Sequence, residues 1–184
     1  MYELFVLGEL MSNDWHGYRL QEKLKHAAGP YRQISSGTIF PLLTRLERDQ
    51  YIEIQGKELI GKRVRKVYRI TETGRKHFYT LMKKPLKFNM DTDLVFMFKM
   101  AYSHFVNKEF QLACLEQYLE YLQNQLEYLR NETNIIEQKP ITTMPKAQQN
   151  QLLKIFDHRI QLTLTGIEWV TSEIEQVSQL HSIN

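Results

Sequence analysis

The chain has 184 residues, of which 42% are hydrophobic and 24% charged, with one cysteine and a formal net charge of +3. This is ordinary globular composition, which excludes a collagen-like repeat and wholesale disorder. A single cysteine, Cys114, excludes an internal disulfide and a cysteine-rich zinc site and fits a reduced, cytoplasmic setting. No run approaches the ~18 apolar residues that a membrane span needs. The start of the chain, with Glu3 and Glu9 and no basic stretch, does not read as a secretory signal. The charge is unevenly spread: residues 1–90 hold 17 Lys/Arg and 9 Asp/Glu, a balance of +8, while residues 91–184 hold 7 and 12, a balance of −5. A basic half joined to an acidic half suggests that only the first meets a polyanion.

In chain order, residues 2–12 place Leu4, Leu7, Leu10 and Met11 at helical spacing, and Asn13-Asp14 closes that helix. A second helix is predicted from about His16 to Ala27, with Tyr18, Leu20 and Leu24 as candidate core and Gly29-Pro30 as its stop. A third begins near Ser36, where the oxygen of Ser35 or Ser36 can accept a bond from a free first-turn N–H; Ile39, Leu42, Leu43 and Leu46 form its buried stripe. The period then changes. Residues 51–54 and 64–70 are β-rich, and the charged stretch between Gly56 and Gly61 reads as a hairpin tip. Thr71 is the expected cap of a further helix, which Pro85 stops.

Three helices followed by a two-stranded hairpin make a winged helix-turn-helix, a fold whose third helix can enter a DNA major groove. The predicted wing carries Lys57, Lys62, Arg63, Arg65, Lys66 and Arg69 against one acid, Glu58. Such density suits phosphates, because each one neutralised releases counterions. A merely solvated wing, as in a protein-interaction module, is the other reading.

The second half is helical throughout: a short Phe- and Met-rich helix over 91–103, a long one from about Lys108 to Gln138, a polar loop over 139–145, and a last helix from about Lys146 to Leu180. Leu112, Leu115, Leu119, Leu122, Leu126 and Leu129 make one heptad seam; Leu153, Phe156, Ile160, Thr163, Ile167, Val170, Ile174 and Val177 make another. A further stripe, Cys114, Tyr118, Tyr121 and Tyr128, remains to be covered. A homodimer is the economical answer, a closed monomeric bundle the alternative. The fold expected is therefore mainly α: a winged helix-turn-helix over 1–87 and a C-terminal α-helical dimerisation domain over 88–184.

Three motifs carry a resemblance. His16-Gly17-Tyr18, then Ser36-Gly37-Thr38-Ile39-Phe40-Pro41-Leu42-Leu43-Thr44-Arg45-Leu46-Glu47, then Arg65-Lys66-Val67-Tyr68-Arg69-Ile70-Thr71-Glu72-Thr73-Gly74 resemble the PadR family of bacterial transcriptional regulators in order and gaps. Residues 93–99 and 166–170 look like the longer C-terminal domain of its phenolic-acid-responsive branch. The resemblance implies a dimeric repressor on an inverted-repeat operator in double-stranded DNA. It would act on detoxification or efflux genes and be released by a small aromatic effector. Phe40 departs from the family's usual Tyr, and Val64 from a frequent Pro.

Candidate DNA-binding residues are Tyr18, Ser35, Ser36, Thr38, Lys62, Arg63, Arg65 and Lys66. Serine and threonine at a helix start can bond phosphates or base edges, and the positive end of the helix dipole favours phosphate; for Ser36 plain capping serves equally. The Tyr18 hydroxyl could reach a phosphate, or the ring could be core with a wet tip. Lys66 could instead support the wing by pairing with a carboxylate, and Arg45 could be a salt bridge. His16 suits a turn or cap. Phe96, Met100, Tyr118, Tyr121 and Trp169 are candidates to line an effector pocket, as aromatic or pliable residues, although an aromatic stripe is also ordinary core. Catalytic motifs and paired histidine ligands are missing, so an enzyme, a metal and a cofactor are not expected. A regulator without any effector stays open.

Overall fold

A computed structural model describes residues 1–60, 63–138 and 144–179, with the backbone alone for 57–60, 63 and 64. The chain divides into two compact units, Met1–Asn107 and Lys108–Asn184.

The first unit is built on α1 (Tyr2–Ser12), whose Leu4, Phe5, Val6, Leu7 and Leu10 are all buried. A helix apolar on most of its circumference must be enclosed. Around it lie α2 (Gly17–Ala28), α3 (Ser36–Arg48) and α4 (Glu72–Lys83), with Leu20, Leu24, Ile39, Leu43, Leu46 and Phe78 in the same core. Leu42 is half-buried against that core. The sheet holds three strands in the order β1-β3-β2, all antiparallel: β1 (Trp15–His16), β2 (Ile52–Ile60) and β3 (Arg63–Ile70). The expected two-stranded wing is thus extended by a strand of two residues, too short to leave a period in the sequence. Its register sets Trp15 opposite Tyr68 and His16 opposite Val67.

Local chemistry explains the joints. The His16 Nδ1 accepts a bond from the Arg19 N–H at 3.0 Å and so caps α2. Thr71 caps α4, accepting from the Gly74 N–H at 2.9 Å and donating to the Gln50 carbonyl at 2.7 Å. Gly74 is required there, because a Cβ would sit 1.9 Å from the Tyr51 carbonyl oxygen.

The sequence placed residues 88–107 in the second domain, but they belong to the first unit. Helix α5 (Thr92–Ala101) and the 3-10 turn Ser103–Phe105 contribute Leu94, Phe98 and Tyr102 to the N-terminal core, with Phe105 and Val106 packed on it. Tyr102 donates to the Phe5 carbonyl at 3.3 Å and to Glu9 Oε1 at 3.1 Å. Burial, with the Glu9 charge beside it, pushes its phenol far above the usual range. Pro85 ends a helix, and the boundary falls some twenty residues later.

The second unit is a helical hairpin of α6 (Lys108–Gln138) and α7 (Lys146–Gln179). Leu115, Leu122, Leu126 and Leu129 of the first seam are buried, while Leu112 and Leu119 are half-buried. On α7 only Thr163 and Val170 are buried, and the remaining seam positions are half-buried. Gly166 lies against Leu122, whose Cδ1 would be 3.2 Å from a Cβ there.

Candidate nucleic-acid interface

The start of α3 is exposed and polar. Ser35 occupies the cap position but its hydroxyl makes no capping bond; it lies 3.3 Å from the Thr38 hydroxyl. The Ser36 hydroxyl donates instead to Gln21 Oε1 at 3.3 Å. This corrects the expectation of a serine side-chain cap. Backbone bonds begin with Thr38 N–H to the Ser35 carbonyl at 3.0 Å, so among the described residues the N–H groups of Ser36 and Gly37 have no acceptor. Unfilled first-turn N–H groups at the positive end of a helix form an anion site in waiting.

Gln21 carries no motif and is not among the candidates that the sequence offers. It is buried, and its Nε2 donates to the Ile34 carbonyl at 3.1 Å while its Oε1 receives Ser36, so it ties α2 to both sides of the α3 start. Its one sequence signal is a polar residue on the apolar face of α2. Arg32, in the loop before α3, anchors that loop through the Tyr2 hydroxyl at 3.3 Å and Asp91 Oδ1 at 2.7 Å; these partners hold its guanidinium above its usual value.

Tyr18 is not core: 47% of it is exposed. Its ring meets Phe40 edge-on, with centroids 5.1 Å apart and planes at 71°. On β3 the Arg65 Cζ lies 4.9 Å from the centre of the Tyr18 ring. A partly exposed cation–π contact of this kind is worth about 0.5–1 kcal/mol.

The other cations of the wing sort by partner. Strand alternation turns Tyr68 and Ile70 into the core and puts Arg65, Val67 and Arg69 on the opposite face. The Lys66 ammonium is 3.7 Å from Glu47 Oε2 on α3, which is the supporting role. Arg69 grips Asp14 with a shortest contact of 2.7 Å. Arg45 on α3 bridges to Glu3 Oε2 at 3.0 Å, and the other Glu3 oxygen meets His77 Nε2 at 2.9 Å. Lys62 lies outside the described residues, and so does the side chain of Arg63.

The five candidate effector residues fall in different units. Phe96 is buried and Met100 half-buried on α5; Tyr118 and Tyr121 stack on α6 with centroids 5.8 Å apart; Trp169 on α7 is exposed. Within the first unit, a cleft of about 570 Å³ is lined by Phe5, Met97, Phe98 and Tyr102 together with Glu9, Arg19, Lys23 and His26, and Lys23 pairs with Glu9 at 2.9 Å. The sequence points to neighbouring positions of α5 and not to these, because the short helix is apolar on several faces.

An exposed helix start, a basic antiparallel hairpin and a strand pairing that locks them together define a winged helix-turn-helix protein. Residues 6–80 match the model of the Transcriptional regulator PadR-like family, and this stretch of the chain is similar to it. The chain is 36% identical over 72 residues to the Mycobacterium tuberculosis protein "Transcriptional regulator Rv3488", a match covering 39% of this chain and 64% of that one. The structure of Bacillus subtilis PadR in complex with operator DNA is similar with a TM-score of 0.44 and 16% identity, covering 95% of this chain and 98% of that one. The same protein in complex with p-coumaric acid gives 0.39 and 16%, covering 96% and 98%. Among the described residues no helix is long and apolar enough to cross a membrane.

Proposed function

We propose that this protein is a dimeric repressor that binds an inverted-repeat operator in double-stranded DNA and is released by a small aromatic acid, controlling detoxification or efflux genes in the cytoplasm. The observation that carries the DNA-binding part is the open first turn of α3, where Ser35 and Ser36 are exposed and the N–H groups of Ser36 and Gly37 are unfilled. Tyr18 stands beside it, and Arg65 of the wing lies on Tyr18. Ser35, Ser36 and Thr38 meet phosphates or base edges; Lys62, Arg63 and Arg65 meet phosphates from the wing. Lys66 serves mainly through Glu47.

The effector reading draws on chemistry in the first unit. The rings of Phe5, Phe98 and Tyr102 suit a flat apolar body, and an anionic group on it would compete for Lys23 with Glu9, which lines the same cleft and pairs with Lys23 at 2.9 Å. Phe96 and Met100, in the same unit, remain candidates for that ligand, while Tyr118, Tyr121 and Trp169 belong to the second unit. The dimer is supported by Ile155, Leu162 and Trp169, which are 52%, 62% and 47% exposed and seven residues apart on α7.

The test is binding to a duplex from the region upstream of the protein's own gene, titrated with salt and then with p-coumaric acid. Salt-sensitive binding released by the acid is the expected result. Arg63→Ala with Arg65→Ala should weaken binding to every duplex and flatten the logarithmic salt slope by about 0.9 for each phosphate no longer neutralised. Binding that ignores the acid leaves a regulator without this effector. No binding there, nor to any duplex from a random library, leaves a protein-interaction module.

A further inference from the structure

We propose that Tyr18 is a positioning residue for DNA binding: its ring face carries the Arg65 guanidinium and presents it, still charged, beside the start of α3. The proposal rests on the DNA-binding reading above and adds how the wing is aimed.

The placement follows from the chain. His16 pairs with Val67, so the first turn of α2 runs alongside Arg65, two residues earlier on β3. Gly17 lets the recognition helix close in, since a Cβ there would be 2.8 Å from the Phe40 ring and 3.0 Å from Leu43. Phe40 then holds the Tyr18 ring edge-on, and Tyr18 offers a face to Arg65. One side chain from each of α3, α2 and β3 thus forms a stack from helix to wing.

The means of holding Arg65 matters. Lys66 and Arg69 are each held by a carboxylate, and a carboxylate offsets the charge that a phosphate would feel. The enclosed Nε of Arg65 has no hydrogen-bond acceptor among the described residues, and the Tyr18 ring is the contact described for its guanidinium; Glu58 stands opposite Arg65 in the strand register, with its side chain outside the described residues. A ring face restrains a cation without neutralising it. Restraint before contact also lowers the side-chain entropy lost on binding. Tyr18 therefore acts through its ring, and its hydroxyl is dispensable.

The experiment uses the full chain and a duplex that it selects from a random library. Affinity is measured against salt for wild type, Tyr18→Phe, Tyr18→Leu, Arg65→Ala and the Tyr18→Leu/Arg65→Ala double variant. Tyr18→Phe should bind as wild type does. Tyr18→Leu should bind about three- to fivefold more weakly, the size of one partly exposed cation–π contact. The double variant should be no weaker than Arg65→Ala alone. In the DNA-free wild type, the Arg65 Hδ protons should show an upfield ring-current shift that Tyr18→Phe keeps and Tyr18→Leu loses.

Loss of affinity in Tyr18→Phe equal to that in Tyr18→Leu would overturn the proposal in favour of a hydroxyl–phosphate contact. So would independent, multiplying losses from Tyr18→Leu and Arg65→Ala, or an unshifted Arg65 in the wild type, which needs no variant to fold. A wild type that selects no duplex overturns the DNA-binding reading and this role together. One that binds DNA but shows no coupling overturns this role alone.

Discussion

Two glycines of the family motifs look alike in sequence and differ in what requires them. Gly74 opens α4 directly above the Tyr51 carbonyl, and a methyl group at 1.9 Å forces the helix start off its strand. Gly37, in the first turn of α3, has room: the nearest atom to an added Cβ is the Ser35 hydroxyl at 3.4 Å, and its φ is not positive. Glycine in a helix costs up to about 1 kcal/mol relative to alanine, and nothing inside the fold offsets that cost here. Gly74→Ala should therefore destabilise by roughly 1–3 kcal/mol, as overpacking does. Gly37→Ala should stabilise the free protein by up to about 1 kcal/mol and, if the start of α3 meets DNA as proposed, weaken DNA binding by placing a methyl group on that surface. Thermal melts and a binding titration on both variants check this; a Gly37→Ala protein that binds DNA as wild type does would place the contact elsewhere on α3. The motif spacing made both positions legible as motif residues. It could not tell which of them the fold requires, since that depends on a neighbour 23 residues away in one case and on empty space in the other.

At the scale of elements, what could be read ahead was whatever leaves a local signal. The cap Thr71, the change of period at the hairpin and the 31 residues of α6 are each written in consecutive side chains. The two-residue β1 and the membership of α5 in the first unit are not, because both are decided by packing against distant chain. Lys99 shows how α5 is bound there. Its stem is buried and its ammonium donates to the Met82 carbonyl at 2.9 Å and also to the Lys84 carbonyl, at the end of α4. A cation on the last carbonyls of a helix meets the negative end of the dipole and fills acceptors left open by the helix ending. In the sequence Lys99 is a charge interrupting an apolar run. Lys99→Met keeps most of the stem and leaves two carbonyls without this donor. A loss of about 1–3 kcal/mol in urea unfolding is expected. An unchanged midpoint would mean that the apolar contacts of Leu94, Phe98 and Tyr102 alone seat the helix.

For the whole molecule, the boundary at residue 107 leaves a first unit of balance +7 and a second of −4, so the basic charge gathers on the winged helix. The heptad pattern of α6 and α7 was legible, but it does not distinguish the seam inside the hairpin from the face left outside, since both repeat every seven residues. Burial separates them. Leu122 is enclosed against Gly166, whereas Leu162 is the most exposed member of the stripe Ile155, Leu162 and Trp169. The two leucines should therefore fail differently. Leu122→Asp buries an unpaired carboxylate inside the hairpin and should cost several kcal/mol, unfolding the second unit before any question of partners arises. Leu162→Asp puts its charge in water in the monomer and in an apolar seam only when two copies meet. It should keep the helical circular dichroism of the wild type and sediment as a monomer, with weaker binding to a two-half-site duplex and little change on a single half-site. A Leu162→Asp protein that still sediments as a dimer would move the association face off this stripe of α7, with Tyr128 and Ile135 of α6, 56% and 53% exposed, as the next surface to charge.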